Sequence, residues 1–236
     1  ENCREFTTAM KRNFGENYKV AYASKALCAR FLYPILASEG IHADVVSGGE
    51  LYTALKAGFN PKHLHFHGNN KTDSDIRFAI NNGVGFFVVD SFDELDALDK
   101  IAGEMGTVQQ ILIRVTPGID PHTHKKISTG SEESKFGIAV RSGQALDAAK
   151  TALRLQNVKL MGFHCHIGSQ IFESEPFCTG AAVMLDFIKD VKDKTGYTAE
   201  MLNLGGGFGV RYVESDPEIC YRDKIKEVAE MVNGYC

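Results

Sequence analysis

Three short stretches of this sequence carry side chains whose types and spacing could do chemistry. The first is VAYASKAL at residues 20–27, where small and apolar residues precede a lysine. In a strand, alternation of side chains would place Ala21, Ala23 and Lys25 on one face. Because that face is nearly bare before Lys25, two interpretations stay open: an ammonium group in solvent, or an amine in a pocket that has room for a bound molecule.

The second stretch is the glycine-rich run NLGGGFG at residues 203–209. Consecutive glycines allow backbone amides to approach an anion, because no Cβ atom intervenes. The run indicates a phosphate-binding loop, and a plain flexible turn is the alternative. A dinucleotide fingerprint fits poorly, since the glycines are followed by VRYVESDPE and not by a helix pattern.

The third stretch is GFHCHIGS at residues 162–169, whose His164 and His166 would share a strand face. His65 and His67 repeat this spacing. Two such pairs suit a metal-dependent barrel hydrolase, but no third-ligand pattern stands out, and buried structural histidines are the favoured interpretation of His65 and His67. An imidazole can also lie flat against an aromatic cofactor ring.

Charged residues also occur on predicted strands. Asp44 starts one strand, Asp90 ends another, and Arg114 lies inside ILIRV, where an uncompensated charge would be costly. Arg114 therefore needs an anionic partner, and a structural salt bridge is the simpler explanation.

Seven predicted strands alternate with amphipathic helices, which indicates parallel pairing. Their ranges are 20–25, 43–47, 64–68, 85–90, 110–115, 160–168 and 201–207. Six polar residues and one glycine lie at or just past their carboxyl ends, which favours a (β/α)8 barrel over an open doubly wound sheet: Lys25, Ser47, Asn69, Asp90, Arg114, His166 and Gly205. No eighth strand is recognisable, so we expect an incomplete barrel that forms one domain over residues 1–236, as a piece of a longer protein.

Composition narrows the partners. The 236 residues carry a formal net charge of -4, which offers no basic surface for nucleic acid or an anionic membrane, so a small-molecule partner is expected. No apolar run is long enough to span a bilayer, and the six cysteines form no CxxC pair. We therefore expect reduced thiols and a cytoplasmic location. The polar segment 116–137 is long for a barrel connection and is predicted to extend over the site or into a partner subunit.

An ordered set of segments resembles a known family: YASKA, ADVVSGGEL, FHGNNK, IRVTPGIDPHTHKKISTG, SKFG, GFHCHIGSQI and LNLGGGFG. The chain is similar to the pyridoxal-phosphate-dependent decarboxylases of ornithine, diaminopimelate and arginine. This resemblance implies a TIM-type barrel of the alanine racemase and decarboxylase type, in which Lys25 holds pyridoxal 5′-phosphate as a Schiff base. It also implies catalytic roles for Lys25 and His166, with His166 stacked on the pyridine ring, and it implies no metal. The residues it implies for cofactor binding are Lys25, Asp44, Arg114, His166, Ser169, Gly205, Gly206 and Gly207.

Within the family, HTHKKISTG and HCHIGSQI favour the members that act on diaminopimelate. The implied reaction converts meso-2,6-diaminopimelate to L-lysine and CO2, the last step of lysine biosynthesis. The alternatives are a related basic amino acid or carboxynorspermidine as substrate, a barrel that binds pyridoxal phosphate without catalysis, and the metal-dependent hydrolase. The family forms homodimers, and Lys135 in SKFG resembles an interface position. The family's EPGR segment and β-domain are absent from this sequence, so its full activity is not expected of these residues alone.

Overall fold

The computed structural model describes residues 2–119 and 135–235. Most of the polar segment predicted to extend over the site, residues 120–134, lies outside the described residues. Within the described ranges, no helix combines the length and the apolar character needed to cross a membrane.

The strands form one parallel sheet whose order follows the chain. Its members are β1 (Ala21–Ala23), β2 (His42–Val45), β3 (Leu64–Phe66), β4 (Phe86–Val89), β5 (Gln109–Thr116), β6 (Ile138–Ala139), β7 (Val158–His164) and β8 (Met201–Asn203). The order is β1-β2-β3-β4-β5-β7-β8, and the two-residue β6 pairs with β5 beside this path. A doubly wound sheet would reverse its order at a switch point. The sequential order therefore confirms the predicted incomplete TIM-type barrel.

Helices connect the strands and cover the outside of the sheet. They are α1 (Asn2–Phe14), α2 (Leu32–Ser38), α3 (Gly48–Lys56), α4 (Asp73–Asn81), α5 (Phe92–Glu104), α6 (Gln144–Ala152), α7 (Glu175–Thr195) and α8 (Tyr221–Tyr235). Two short 3-10 turns, Ser24–Ala26 and Pro61–His63, precede α2 and β3.

The two faces of the sheet bury different apolar sets, as strand alternation requires. Phe87 and Val89 of β4 pack with the helix residues of the large outer core, whereas Phe86 and Val88 pack inside with Leu112 and Met161. Burying such a side chain contributes about 1.5–3 kcal/mol. With both faces covered, the strands are almost continuously apolar, and polar side chains concentrate near the carboxyl ends.

Six of the seven predicted strands end earlier than the sequence pattern indicates, and two of these ends affect candidate site residues. β1 stops at Ala23, and Lys25 lies in the following 3-10 turn, so strand alternation does not determine where its side chain points. β7 likewise stops at His164, two residues before His166. Lys25 therefore does not continue the strand face of Ala21 and Ala23, because a 3-10 turn begins at Ser24. His166 lies past the end of β7 in a segment without regular secondary structure, and its shared face with His164 stays a prediction.

Ser91 and Glu94 at the start of α5 form only half of a reciprocal cap. The Ser91 side chain accepts a hydrogen bond from the Glu94 amide. The Glu94 carboxylate accepts from the Asp90 amide instead of that of Ser91, because its other oxygen is bound to Lys71. This interaction links the end of β4 to a buried polar network.

Candidate active site at the carboxyl ends of the strands

The polar residues predicted to gather at the strand ends are in the predicted places. Lys25, Ser47, Asn69, Asp90, His166 and Gly205 each follow the last residue of a strand by one to three positions, and Arg114 lies two residues before the end of β5. Because all strands are parallel, these ends meet at one rim of the barrel.

Strand register brings the turn with Lys25 beside Asp44. Ala23, the last residue of β1, is paired with Asp44 on β2, and Asp44 is paired in turn with His65 on β3. Lys25 is exposed at this rim, two residues beyond the pair. The lysine therefore borders the open end of the barrel and is not covered by the core.

Arg114 has the anionic partner that its position demanded. Its Nη1 lies 3.5 Å from Asp90 Oδ1, and its guanidinium lies 4.5 Å from the centre of the Phe136 ring. Asp90 also accepts a hydrogen bond of 3.2 Å from the Gly137 amide. Burial lowers the pKa of Arg114 and Asp90 opposes that shift, so the side chain stays a fixed cation beside the rim.

A second buried ion pair, Lys71 and Glu94, holds the backbone of Asp90 in place. Lys71 Nζ lies 2.6 Å from Glu94 Oε1 and also donates to the carbonyl oxygens of Gly68 and Val88. Burial lowers the pKa of Lys71 and raises that of Glu94, while their mutual attraction opposes both shifts. Because Glu94 holds the Asp90 amide, the pair fixes the residue that positions Arg114.

His166 lies among positive charges. Burial, and then the charges of Arg114 and Lys25, lower its pKa to about 4. The imidazole is therefore neutral at pH 7. Because both cations lower the pKa of this imidazole, Lys25 and Arg114 lie close enough to His166 to interact with it electrostatically.

The glycine loop packs directly against the loop that carries His166. A Cβ atom on Gly205, whose φ is +73°, would lie 2.6 Å from the Cys165 carbonyl oxygen and 3.0 Å from His166 Nδ1. On Gly206 it would meet nothing within 4 Å. The Gly205 amide donates to Asn203 Oδ1 at 2.8 Å. Of the glycines 205–207, Gly206 is therefore the one whose backbone borders open space.

Backbone hydrogen bonds join the Ser169 loop to the same glycines. The Ile171 amide donates to the Gly207 carbonyl oxygen at 3.0 Å, and the Gly209 amide donates to the Ile171 carbonyl oxygen at 2.8 Å. Ser169, only partly buried, therefore lies in a loop that is fixed beside residues 205–209.

Gln170 completes this connection. Its side chain donates to the Val210 carbonyl oxygen at 3.0 Å and accepts from the Val210 amide at 2.8 Å. Its backbone has a φ of +59°, and among the described residues other than glycine it is alone in having a positive φ. Nothing in the sequence assigned a role to Gln170, although it lies in the segment GFHCHIGSQI.

Below the rim, Asp44 meets the histidine pair of β3. Asp44 Oδ1 lies 3.4 Å from His67 Nε2 and 3.7 Å from His65 Nδ1. His65 Nε2 lies 3.3 Å from His42 Nδ1, and the rings of His67 and His164 are in edge-to-face contact, 4.8 Å between centres. Burial lowers the pKa of His42 to about 3 and that of His65 to about 4.

The family model for pyridoxal-dependent decarboxylases, pyridoxal binding domain, matches residues 1–236. The chain belongs to this family of pyridoxal-dependent decarboxylases. The family resemblance inferred from the motifs is thereby confirmed.

Individual relatives of this pyridoxal-dependent decarboxylase domain agree. The chain is 46% identical over 232 residues to the diaminopimelate decarboxylase of Bacillus methanolicus, covering 97% of this chain and 54% of the relative. The crystal structure of diaminopimelate decarboxylase from M. jannaschii matches with a TM-score of 0.88 at 38% identity, over 99% of this chain and 54% of that one. The Helicobacter pylori enzyme, crystallised with L-lysine, matches with a TM-score of 0.86 at 32% identity, over 98% and 59%. The chain thus spans somewhat more than half the length of these relatives.

Two features of the decarboxylase domain were missed from the sequence. The support of Asp90 by Lys71 and Glu94 joins residues from different strand ends, and local patterns do not report it. The approach of Asp44 to His65 and His67 was missed for the same reason. The sequence offered only indirect signals, the lysine of FHGNNK and the HxH spacing.

Proposed function

We propose that this chain forms the pyridoxal-phosphate-binding part of an enzyme that decarboxylates meso-2,6-diaminopimelate to L-lysine and CO2. The observation that carries the proposal is the convergence of Lys25, Arg114 and His166 with the Gly205–Gly207 loop at one barrel rim. The same proposal treats residues 1–236 as one domain.

The residues present fit a phosphate-bearing aromatic group. Gly206 leaves space on one side of the loop, where a Cβ atom would meet nothing within 4 Å, and the backbone amides of such loops suit a phosphate. We assign Ser169, Gly205, Gly206 and Gly207 to that phosphate. The cations Lys25 and Arg114 complement its negative charge.

Each remaining residue has a role that its chemistry supports. Lys25 carries the group through its ε-amino nitrogen, which is accessible because Lys25 itself is exposed. His166, neutral at pH 7, can lie flat against a pyridine ring without adding charge, and Asp44 lies next to the lysine turn through strand register. When bound, pyridoxal phosphate supplies the electron sink for the carbanion that loss of CO2 creates.

The substrate assignment is supported by the relatives. Diaminopimelate decarboxylases match nearly the whole chain at 40–46% identity, and one related structure contains L-lysine. A related basic amino acid and carboxynorspermidine are the alternative substrates. We also propose a homodimer with Lys135 near its interface, and a cytoplasmic location stays a prediction.

Borohydride trapping tests the cofactor site. The full-length protein is incubated with pyridoxal phosphate, reduced, digested and mapped by mass spectrometry. We expect one adduct, on Lys25, which Lys25→Ala abolishes. Lys19→Ala, just before the opposite end of β1, is the matched control and should label as the parent does. Scattered labelling, or labelling that survives Lys25→Ala, contradicts the assignment.

A turnover assay then tests the reaction and the substrate. Full-length protein is supplied with meso-diaminopimelate, L-ornithine, L-arginine, L-lysine or carboxynorspermidine, and CO2 release is measured. We expect release with meso-diaminopimelate at a kcat/KM well above the others. A trapped Lys25 adduct without turnover of any of these would identify the barrel as a non-catalytic binding module.

A further inference from the structure

We propose that Asp44, His65 and His67 form a binding site for one divalent transition-metal ion of the zinc type, below the rim of the barrel. The ligand atoms are Asp44 Oδ1, His65 Nδ1 and His67 Nε2, which all lie within 4.8 Å of one another. The site does not depend on the cofactor assignment.

The spacing of the three atoms suits a tetrahedral ion. With metal–ligand bonds of about 2.0–2.2 Å, neighbouring ligand atoms are about 3.3–3.6 Å apart. Asp44 Oδ1 lies 3.4 Å from His67 Nε2 and 3.7 Å from His65 Nδ1, so two of the three separations are close to those of a tetrahedral site, and the third is at most 4.8 Å. Two imidazoles and one carboxylate are ligands that zinc commonly takes, and three protein ligands leave one position open.

The three atoms lack other partners. Among the described residues, none of Asp44 Oδ1, His65 Nδ1 and His67 Nε2 makes a hydrogen bond. His65 is 2% exposed and His67 is 8% exposed. Leaving a buried polar atom unsatisfied costs about 1–3 kcal/mol, and one metal ion would satisfy all three.

His42 supplies the outer contact that a metal-bound histidine needs. Its Nδ1 lies 3.3 Å from His65 Nε2, the ring nitrogen that faces away from Asp44. When His65 Nε2 donates its proton to His42 Nδ1, the other ring nitrogen of His65, Nδ1, presents a lone pair toward Asp44 and His67. Metal-bound histidines are generally oriented by such a second hydrogen bond.

An ion can enter the site from the rim of the barrel, where the Asp44 carboxylate supplies a negative charge for it to neutralise. The Asp44 side chain is 20% exposed, and it approaches the rim through its pairing with Ala23. The Asp44 carboxylate brings a negative charge to a site whose other two ligands are imidazoles. The competing explanation is a cluster of Asp44, His65 and His67 that is held by its own side-chain contacts and binds no ion.

Metal titration of the full-length protein distinguishes the two. Metal-free protein is titrated with Co2+ while the visible ligand-field bands are recorded, and with Zn2+ in competition with a chromogenic chelator. We expect one equivalent to bind with the intense bands of a tetrahedral site, and His65→Asn and His67→Asn to weaken binding at least about tenfold. His63→Asn is the control, because the His63 ring stacks on His42 at 4.4 Å without belonging to the ligand set. Absence of stoichiometric binding, or unchanged binding in the His65 and His67 variants, would overturn the proposal.

X-ray absorption of the zinc-loaded parent protein provides a test without variants. We expect only nitrogen and oxygen ligands at about 2.0–2.2 Å. Sulfur at about 2.3 Å would place the ion on cysteines and contradict the site. This test stays informative if a variant fails to fold, and its result is independent of borohydride labelling at Lys25.

Discussion

Gly207 approaches Gly168 so closely that a Cβ atom on Gly207 would lie 1.9 Å from the Gly168 carbonyl oxygen. The φ of Gly207 is +108°, a conformation that other residues rarely adopt. This contact presses the glycine loop after β8 against the loop after β7. The two loops on which the candidate phosphate site depends are therefore one packed unit.

Gly207→Ala should separate the two loops. We expect it to lower the free energy of unfolding by more than about 2 kcal/mol, because both the contact and the backbone conformation exclude a side chain. Chemical denaturation measures the change. Gly206→Ala is the control, since a Cβ atom there meets nothing within 4 Å, and its unfolding free energy should change by less than about 1 kcal/mol. Equal effects would contradict the packing argument.

Lys71→Met should be severely destabilising. The Lys71 and Glu94 side chains are 1% and 7% exposed, and removing one partner of a buried pair costs about 3–5 kcal/mol because the other charge is left unpaired. Adding Glu94→Gln should recover part of this loss.

The exposed pair Lys194–Asp190, at 2.8 Å, provides the comparison for Lys71. Lys194→Met should cost at most about 0.5 kcal/mol. Thermal or urea melts of the three variants measure these differences. A Lys71→Met protein as stable as Lys194→Met would show that the buried pair does not hold the strand ends.

Gln170→Ala should loosen the Ser169 loop from the glycine loop. It removes two hydrogen bonds to Val210, and we expect a loss of about 1–2 kcal/mol in unfolding free energy together with weaker pyridoxal phosphate binding. Equilibrium dialysis measures the affinity. Gln156→Ala, an exposed position in the connection before β7, should change stability by less than about 0.5 kcal/mol and leave affinity unchanged. If the Gln170 variant keeps full affinity for pyridoxal phosphate, the two hydrogen bonds between Gln170 and Val210 do not position the candidate phosphate site.

Cysteine alkylation should follow burial and pH. Burial raises the pKa of Cys165 to about 12, so its thiol stays protonated in the folded protein at pH 9, whereas Cys28 and Cys220 are exposed. Iodoacetamide at pH 7–9 should label Cys28 and Cys220 and leave Cys165 unmodified until the protein unfolds, as peptide mass spectrometry can show.

The same shift has a thermodynamic consequence. A thiol in the unfolded chain ionises at about pH 8.5, whereas the Cys165 thiol of the folded protein stays protonated at that pH. The unfolded state is therefore stabilised relative to the folded state as the pH rises. Cys165 therefore contributes a loss of folding stability above that pH. Labelling of folded Cys165 as fast as that of Cys28 would contradict its burial.

Much of the fold was determined by local sequence patterns. Alternation of apolar runs with helical periodicity predicted all seven main strands, and the polar residues after those runs predicted which rim of the barrel carries the candidate site. These features are readable because each depends on residues adjacent in the chain. Strand ends were predicted less well, since Lys25 and His166 both lie past the ends of their strands, at points where the period-two pattern still continues.

The sequence by itself determined the fold class, the family motifs and the candidate residues of the pyridoxal site. Only the tertiary structure decided which of these residues meet. The pairings Ala23 with Asp44 and Asp44 with His65 join positions about twenty residues apart, and Lys71 reaches Glu94 across two strand ends. Such contacts are set by strand register and by the burial cost of unpaired charge, which depend on the whole packed sheet and leave no local pattern in the chain.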